Sequence, residues 1–457
     1  MNAVVVWVFL PFGIAAGLYL FSTWGRRTEI VAAGVSGGLA LLALLVPIEQ
    51  PLRGTLRLES TWAFLGRSIT LVDATRPWLV WWYFGLCVWL LGAHWMQAPP
   101  ALPAASLGST ALWVAALTIT PFVYAPILWF LGLLLWLPVL ANRRGPQTRA
   151  VLRLLNLQFL AVPALLAIGW MLSRVESVPG QETLALRIGV LMTTSMALLL
   201  GVFPFHVWYP GLVADSHPYA AGMLLYFLPQ TGMWMGLTFL ERFSWLRSAP
   251  QVQFFLYASG IAMLVAGGVL AALERHLGRA WGYLIMADVG AALLAVSLFP
   301  EQGISLFLAA LWPRFLALFT GTLAVSFLGR QRGSLRFSAL MGSALQWPVV
   351  AGSLLCAVFS LGGFPLLAAF PVRLALWEAL PVLPMGVGMA AMLVIALRLL
   401  AVLVMGEQPA ERQKPPLGLL LLLGLGVLLL LGTGWLPGVF LPLMRSLEGA
   451  FPHLVVL

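Results

Sequence analysis

Long apolar runs follow one another along the whole chain, separated by short connections bearing Arg, Pro or Gly. A helix that crosses a bilayer needs roughly 20 consecutive apolar residues. On that scale the pattern predicts spans at 3–22, 29–48, 76–96, 105–122, 124–141, 154–173, 184–203, 217–240, 252–273, 281–299, 303–328, 345–380 (long and broken), 384–405 and 417–437. The expectation is an all-α integral membrane protein of about 14 transmembrane helices. The longest polar connection, around Glu49 to Asp73, is too short to fold alone, so no soluble domain is expected. The first apolar run starts at once, with only Pro11 inside it, and reads as a span rather than a cleavable signal.

Two runs are interrupted in the same way: "GVFPFHVWYP" at 201–210 and "GGFPLLAAFPVR" at 362–373. An interior proline removes a backbone hydrogen bond and clashes with the preceding turn. The freed polar groups are tolerated at membrane depth only where protein or water covers them. The prolines, Pro204 and Pro365, lie about 160 residues and roughly five spans apart, and corresponding breaks in two halves point to inverted repeats. An odd number of spans per repeat turns the second copy upside down. The predicted organisation is therefore an N-terminal three-helix segment (1–103), a first five-helix repeat (104–245, helices 4–8), a second, inverted repeat (246–406, helices 9–13) and a C-terminal helix (407–457). Two unrelated proline kinks would leave the same letters.

Composition agrees with the pattern. Of 457 residues, 61% are hydrophobic and 9% charged, against about 25% charged in soluble domains. The net charge of +10 then bears on topology, not on nucleic acid. Thirteen Lys/Arg fall on one set of alternate loops: Arg26, Arg27, Arg143, Arg144, Arg149, Arg153, Arg275, Arg279, Arg330, Arg332, Arg336, Arg412 and Lys414. Eight fall on the other: Arg53, Arg57, Arg67, Arg174, Arg187, Arg242, Arg247 and Arg445. Cytoplasmic loops carry the excess, so "NRRGPQTRAVLR" is expected inside and both termini outside. A general basic skew would give the same numbers.

Several chemistries are excluded. Cys87 and Cys356, both within spans, cannot supply the four thiolates of an iron–sulfur cluster. His94, His206, His217, His276 and His453 include no pair spaced on one helix to hold a haem. No G-x-x-x-x-G-K-[ST] loop is present. "GLGVLLLLGTG" lies within a span, where close helix packing explains its glycines. The tryptophans Trp78, Trp81, Trp82, Trp208, Trp234 and Trp245 are expected in aromatic belts at the membrane interfaces.

The stretch "FPFHVWYPGLVADSHPYAAGMLLYFLPQTGMWMGLTFLERF" resembles the signature of the antiporter-like membrane subunits of complex I and of Mrp-type cation antiporters: Pro-Phe-His-x-Trp-x-Pro, then an Ala-rich linker, a Pro, and Lys-x-Gly-x-Tyr. Asp73 in "ITLVDATRPW", "HLGRAWGYLIMADVG" and "SLGGFPLLAAFPVRLALW" are similar to further stretches of that family, in its order. The resemblance covers most of residues 70–400. Chain length resembles the smaller subunits, of the M or N kind. It implies a prokaryotic inner (cytoplasmic) membrane or an equivalent energy-transducing one, with other membrane-arm subunits of a complex I-like assembly and the lipid bilayer as partners. It implies NADH, FMN, iron–sulfur clusters and quinone on partner subunits, with no cofactor or metal on this chain. It also implies a polar axis opened by the breaks, where buried lysines exchange protons.

Carried over position by position, the family's proton path is largely missing. Leu133 stands approximately at its Glu on the fifth span, and Leu199 at the Lys five residues before Pro204. Gln230 occupies the second Lys and Arg373 the third. Leu284 and Ile285 replace two serines, and Gly278 a further Lys. A relay needs groups whose pKa moves through the working range. Buried Lys does this, whereas Arg stays protonated and Leu and Gln do not titrate. Asp288 is the candidate counter-ion for Arg314 or Arg373, since charges at membrane depth pair or face water. His206 could shuttle protons or cap broken backbone. The expected function is an antiporter-like membrane-arm subunit of a proton-translocating quinone oxidoreductase of the complex I type. Its own channel would be degenerate and its role mainly structural, with no redox or catalytic site on this chain. The alternative is a cation/proton or inorganic-carbon secondary transporter of the Mrp-like class.

Overall fold

In the computed structural model, residues 2–22, 26–49, 58–141, 148–177, 182–247, 249–406 and 414–455 are described. Arg53, Arg57, Arg143, Arg144 and Arg412, which carry part of the loop-charge argument, lie outside the described residues, as do the side chains of Arg26 and Arg174. Helices dominate. Ten of those described are long and apolar enough to cross a membrane, or eleven if Phe337–Gln346 and Pro348–Leu361, bent by 117°, form one span. The expected number, about 14, is not reached on this measure. Val5–Leu20 and Leu102–Thr118 are apolar but shorter. Pro218–Arg242 is 25 residues long but is interrupted by polar residues such as Gln230 and Thr231.

Several boundaries follow from local chemistry. The Arg76–Met96 helix starts with Pro in its first turn and ends at Gln97, which has φ 52°. Gly333, with φ +66°, terminates Gly303–Arg332, because the left-handed conformation that ends a helix carries no steric cost only in Gly. Leu277–Ser297 and Gly303–Arg332 form the middle of the molecule and are buried through most of their length. Pro250–Leu273 packs on Leu277–Ser297 so closely that a Cβ at Gly290 would stand 2.5 Å from the Leu264 nitrogen. Small residues permit such backbone approach in membrane proteins. Leu417–Trp435 lies at the margin and leaves Leu421, Leu425 and Leu428 exposed.

The connection before Arg76 is more than a linker. Strands β1 (Thr61–Phe64) and β2 (Arg67–Thr70) form an antiparallel hairpin. Its turn uses Leu65 (φ 49°) and Gly66 (φ 73°). β2 also pairs with β3 (Ile119–Thr120), through Ser68 opposite Thr120 and Ile69 opposite Ile119. Arg67 lies over the Tyr124 ring, 4.1 Å from its centroid, and donates to its hydroxyl at 3.2 Å.

Five of the six tryptophans correct the belt expectation, while Trp245 is half-buried. Trp78, Trp81, Trp82, Trp208 and Trp234 are at most 5% exposed. They fill space between helices, and Trp82 meets Trp113 and Phe227 rather than lipid. At the C-terminal end the chain folds back across the bundle. There Phe440 stacks on Trp312 with centroids 4.3 Å apart, and the His453 amide donates to Glu241 at 3.1 Å.

Candidate functional site

The first interruption is built around Gly201. The Glu182–Leu200 helix stops one residue earlier, and Gly201 adopts φ +64°. A short turn over Phe205–Val207 follows, and Trp208–Asp215 resumes the helix. Breaking a helix strands carbonyls, and two side chains collect them. Gln158, fully buried on Thr148–Ser177, donates to the Leu199 carbonyl at 2.9 Å. The Tyr209 hydroxyl donates to the Leu200 carbonyl at 2.8 Å. His206 stacks on Phe203, 5.1 Å between centroids, with Tyr283 at 6.1 Å. Gly282 lets the resumed helix lie against Leu277–Ser297: a Cβ there would come within 2.5 Å of the Tyr209 carbonyl oxygen.

The second interruption delivers charge. Pro348–Leu361 ends, Gly363 (φ 71°) and Leu366 (φ 75°) turn the chain, and Phe370–Ala379 begins. Glycine is required at 363 twice over, because Arg373 Cβ and Cγ stand 2.8 Å from where its Cβ would be. The arginine stem therefore passes across Gly363 and its head reaches Asp288, Nη2 to Oδ1 at 3.0 Å. The other carboxylate oxygen of Asp288 is 3.1 Å from Nε of Arg314. All three side chains are buried, with Asp288 7%, Arg314 3% and Arg373 5% exposed. One carboxylate thus serves two guanidinium groups. Gly282, six residues before Asp288 on the same helix, lies against the Tyr209 backbone, so the helix that carries the triad's acid also meets the first break.

The remaining expected positions are apolar or neutral where they sit. Leu133 is 1% exposed. Around it Trp113 donates to the Trp129 carbonyl at 3.1 Å and Trp136 to the Ser109 hydroxyl at 3.0 Å. The Leu199 side chain packs on the helix of Gln230, where a Cβ at Gly232 would stand 2.4 Å from Leu199 Cδ2. Gln230 is 2% exposed and its Oε1 has no hydrogen-bond donor among the described residues. Leu284 and Ile285 are fully buried. Pro204 and Pro365 fall inside the two interruptions. His217 and His276 lie elsewhere. Together with Ser216, Ser326 and Arg330 they line a cavity of about 460 Å³. Burial of His276, reinforced by Arg279, pushes its imidazole below the ordinary value. Among the described residues no group of three or more His, Cys, Asp or Glu is placed to hold a metal.

Sequence reasoning missed Gln158, Tyr209 and Gly363. Gln158 carried a usable signal as an amide inside an apolar run. Gly363 stood within the quoted break but nothing there said that an arginine crosses it, and Tyr209 gave no signal before the fold set what it touches.

A protein-family model described as NADH:quinone oxidoreductase/Mrp antiporter, TM, matches residues 139–402. NADH-quinone oxidoreductase subunit N 2 of Syntrophobacter fumaroxidans is 26% identical over 289 residues, 58% of each chain. Subunit N of Rhodospirillum rubrum is 26% identical over 205 residues, 44% of this chain and 41% of that one. The matched segments therefore span 58% or less of these relatives' own length. Two solved structures share the fold across nearly the full chain. The Mrp complex from Dietzia sp. gives a TM-score of 0.79 at 16% identity, covering 99% of this chain and 98% of that one. Respiratory complex I from Thermus thermophilus gives 0.76 at 20% identity, covering 99% of each.

Proposed function

The chain belongs to the NADH:quinone oxidoreductase/Mrp antiporter membrane family, and from that premise we propose that it is a membrane-arm subunit of a complex I-type quinone oxidoreductase whose own proton channel no longer operates. The observation that carries this reading is the triad. Its only acid, Asp288, is held between two arginines. A relay needs a group that gains and loses a proton near working pH, and neither guanidinium does so. Leu133 and Leu199 contribute no titratable pair, and Gln230 contributes only an amide. Its role is then mainly structural: the triad locks the second break shut while neighbouring subunits move protons.

The relatives by sequence are named as quinone oxidoreductase subunits, which favours this reading over a free-standing cation or inorganic-carbon transporter. A transporter acting alone would need the missing Glu and Lys. Electron donor, FMN, iron–sulfur clusters and quinone belong, on this proposal, to partner subunits. The finer architecture is proposed with it. Counting Val5–Leu20, Leu102–Thr118 and Pro218–Arg242 with the eleven gives 14 spans. Helices 4–8 and 9–13 are then the two inverted repeats, in an inner membrane, with the arginine-rich loops inside and both termini outside.

The test is proton stoichiometry of the assembled complex in reconstituted vesicles. Gln230→Ala and His206→Ala are expected to leave the proton-to-electron ratio unchanged. A fall of one proton-transfer unit with electron transfer intact would refute the reading.

A further inference from the structure

The triad carries one positive charge more than it neutralises. Asp288 bonds Arg373 directly and touches Arg314 only at Nε. Nη1 and Nη2 of Arg314 are buried with no acceptor among the described residues. Beside them is a cavity of about 20 Å³, lined by Asp288, Ala291, Ala292, Ala310, Arg314 and Arg373, among others. A void needs roughly 10–15 Å³ to take one water, so this one accepts a single small occupant. Water would satisfy N–H donors but leave the charge unbalanced at membrane depth, where unpaired charge is disfavoured. A carboxylate from a neighbouring subunit would balance it, but the chain's own helices cover all three residues, none more than 7% exposed.

We propose that this cavity is a binding site for one monovalent anion of the halide class, held by the free guanidinium edge of Arg314. It goes beyond the proton reading, since it concerns static charge balance and holds whether or not the subunit pumps. The ion completes a neutral set: two arginines, one carboxylate, one anion. Size is part of the recognition. A polyatomic anion such as gluconate exceeds the space.

The test uses the purified protein in lipid nanodiscs, with thermal unfolding followed by tryptophan fluorescence. Sodium chloride or bromide is exchanged for sodium gluconate at constant ionic strength. Both salts also act on the whole surface, so the readout is the difference between wild type and variants. For the wild type, Tm is expected to rise with the logarithm of halide concentration, as linkage requires. Arg314→Leu leaves the neutral Asp288–Arg373 pair and should abolish that dependence. Ala292→Val fills the cavity with every charge in place and should abolish it too, which decides the matter if Arg314→Leu does not fold. Equal Tm in chloride and gluconate for the wild type, or a halide response surviving in Ala292→Val, overturns the proposal.

Discussion

Replacing Asp288 by Asn should be the most damaging single substitution in the second half of the molecule. The carboxylate contacts Arg373 at 3.0 Å and Arg314 at 3.1 Å, and all three residues are buried. An amide cannot neutralise either. Removing one partner of a buried pair costs about 3–5 kcal/mol, because an uncompensated charge stays inside. Here two are left, adjacent and of like sign, so the loss should lie at the top of that range. Taking out a cation is a different perturbation. Arg373→Leu or Arg314→Leu leaves one arginine facing one carboxylate, and each should cost less than Asp288→Asn. Replacing all three by apolar residues should restore most of the stability, since buried ion sets exchanged for packed apolar groups are often neutral or stabilised by about 1–4 kcal/mol. The assay is thermal and denaturant unfolding in nanodiscs, in gluconate. Asp288→Asn as stable as the wild type, or less damaging than Arg314→Leu, would show that charge balance does not govern this site.

Three other outcomes follow from the geometry. Gln158→Leu strands the Leu199 carbonyl and should lower stability by about 1–3 kcal/mol; an unchanged Tm would mean water replaces the amide. Gly282→Val places a side chain against the Tyr209 and Pro210 backbone and should cost about 1–3 kcal/mol or more; retention of full stability would contradict the close approach. The third concerns pH. Because burial holds His276 below its ordinary 6.5, the unfolded chain binds its proton first on acidification, so stability is lost as pH falls below about 6.5. Arg279, Arg336, Glu274 and Asp215 act on the same imidazole. His276→Gln should flatten the Tm profile between pH 7 and 5, and parallel profiles would refute the assignment.

What was legible in the sequence were the features that depend on near neighbours. The run 76–96 coincides with the Arg76–Met96 helix, because length and apolarity suffice to define a span. Both helix interruptions stand at Gly and Pro residues, which break helices wherever they occur. Asp288 could be matched to the arginines because so few charges lie inside spans. The tryptophans misled, since a large ring with one polar atom suits an interface and an interhelical gap equally well, and only the packing decides. The sheet was out of reach for another reason. β3 is two residues long, too short for any alternation to register, and it pairs with a segment some fifty residues earlier.

That distance has a consequence for how the chain is made. β2 and β3 flank the helices Arg76–Met96 and Leu102–Thr118. The β1–β2 hairpin joins neighbours in sequence, but its third strand is not synthesised until both helices have been made. It arrives beside β2 only once the two helices stand antiparallel. The completed sheet is therefore a record of insertion. Protection of the Ser68 and Ile69 amides during synthesis would time the moment when the Arg76–Met96 and Leu102–Thr118 helices pack side by side, and a chain stalled with one of them out of place could not acquire it.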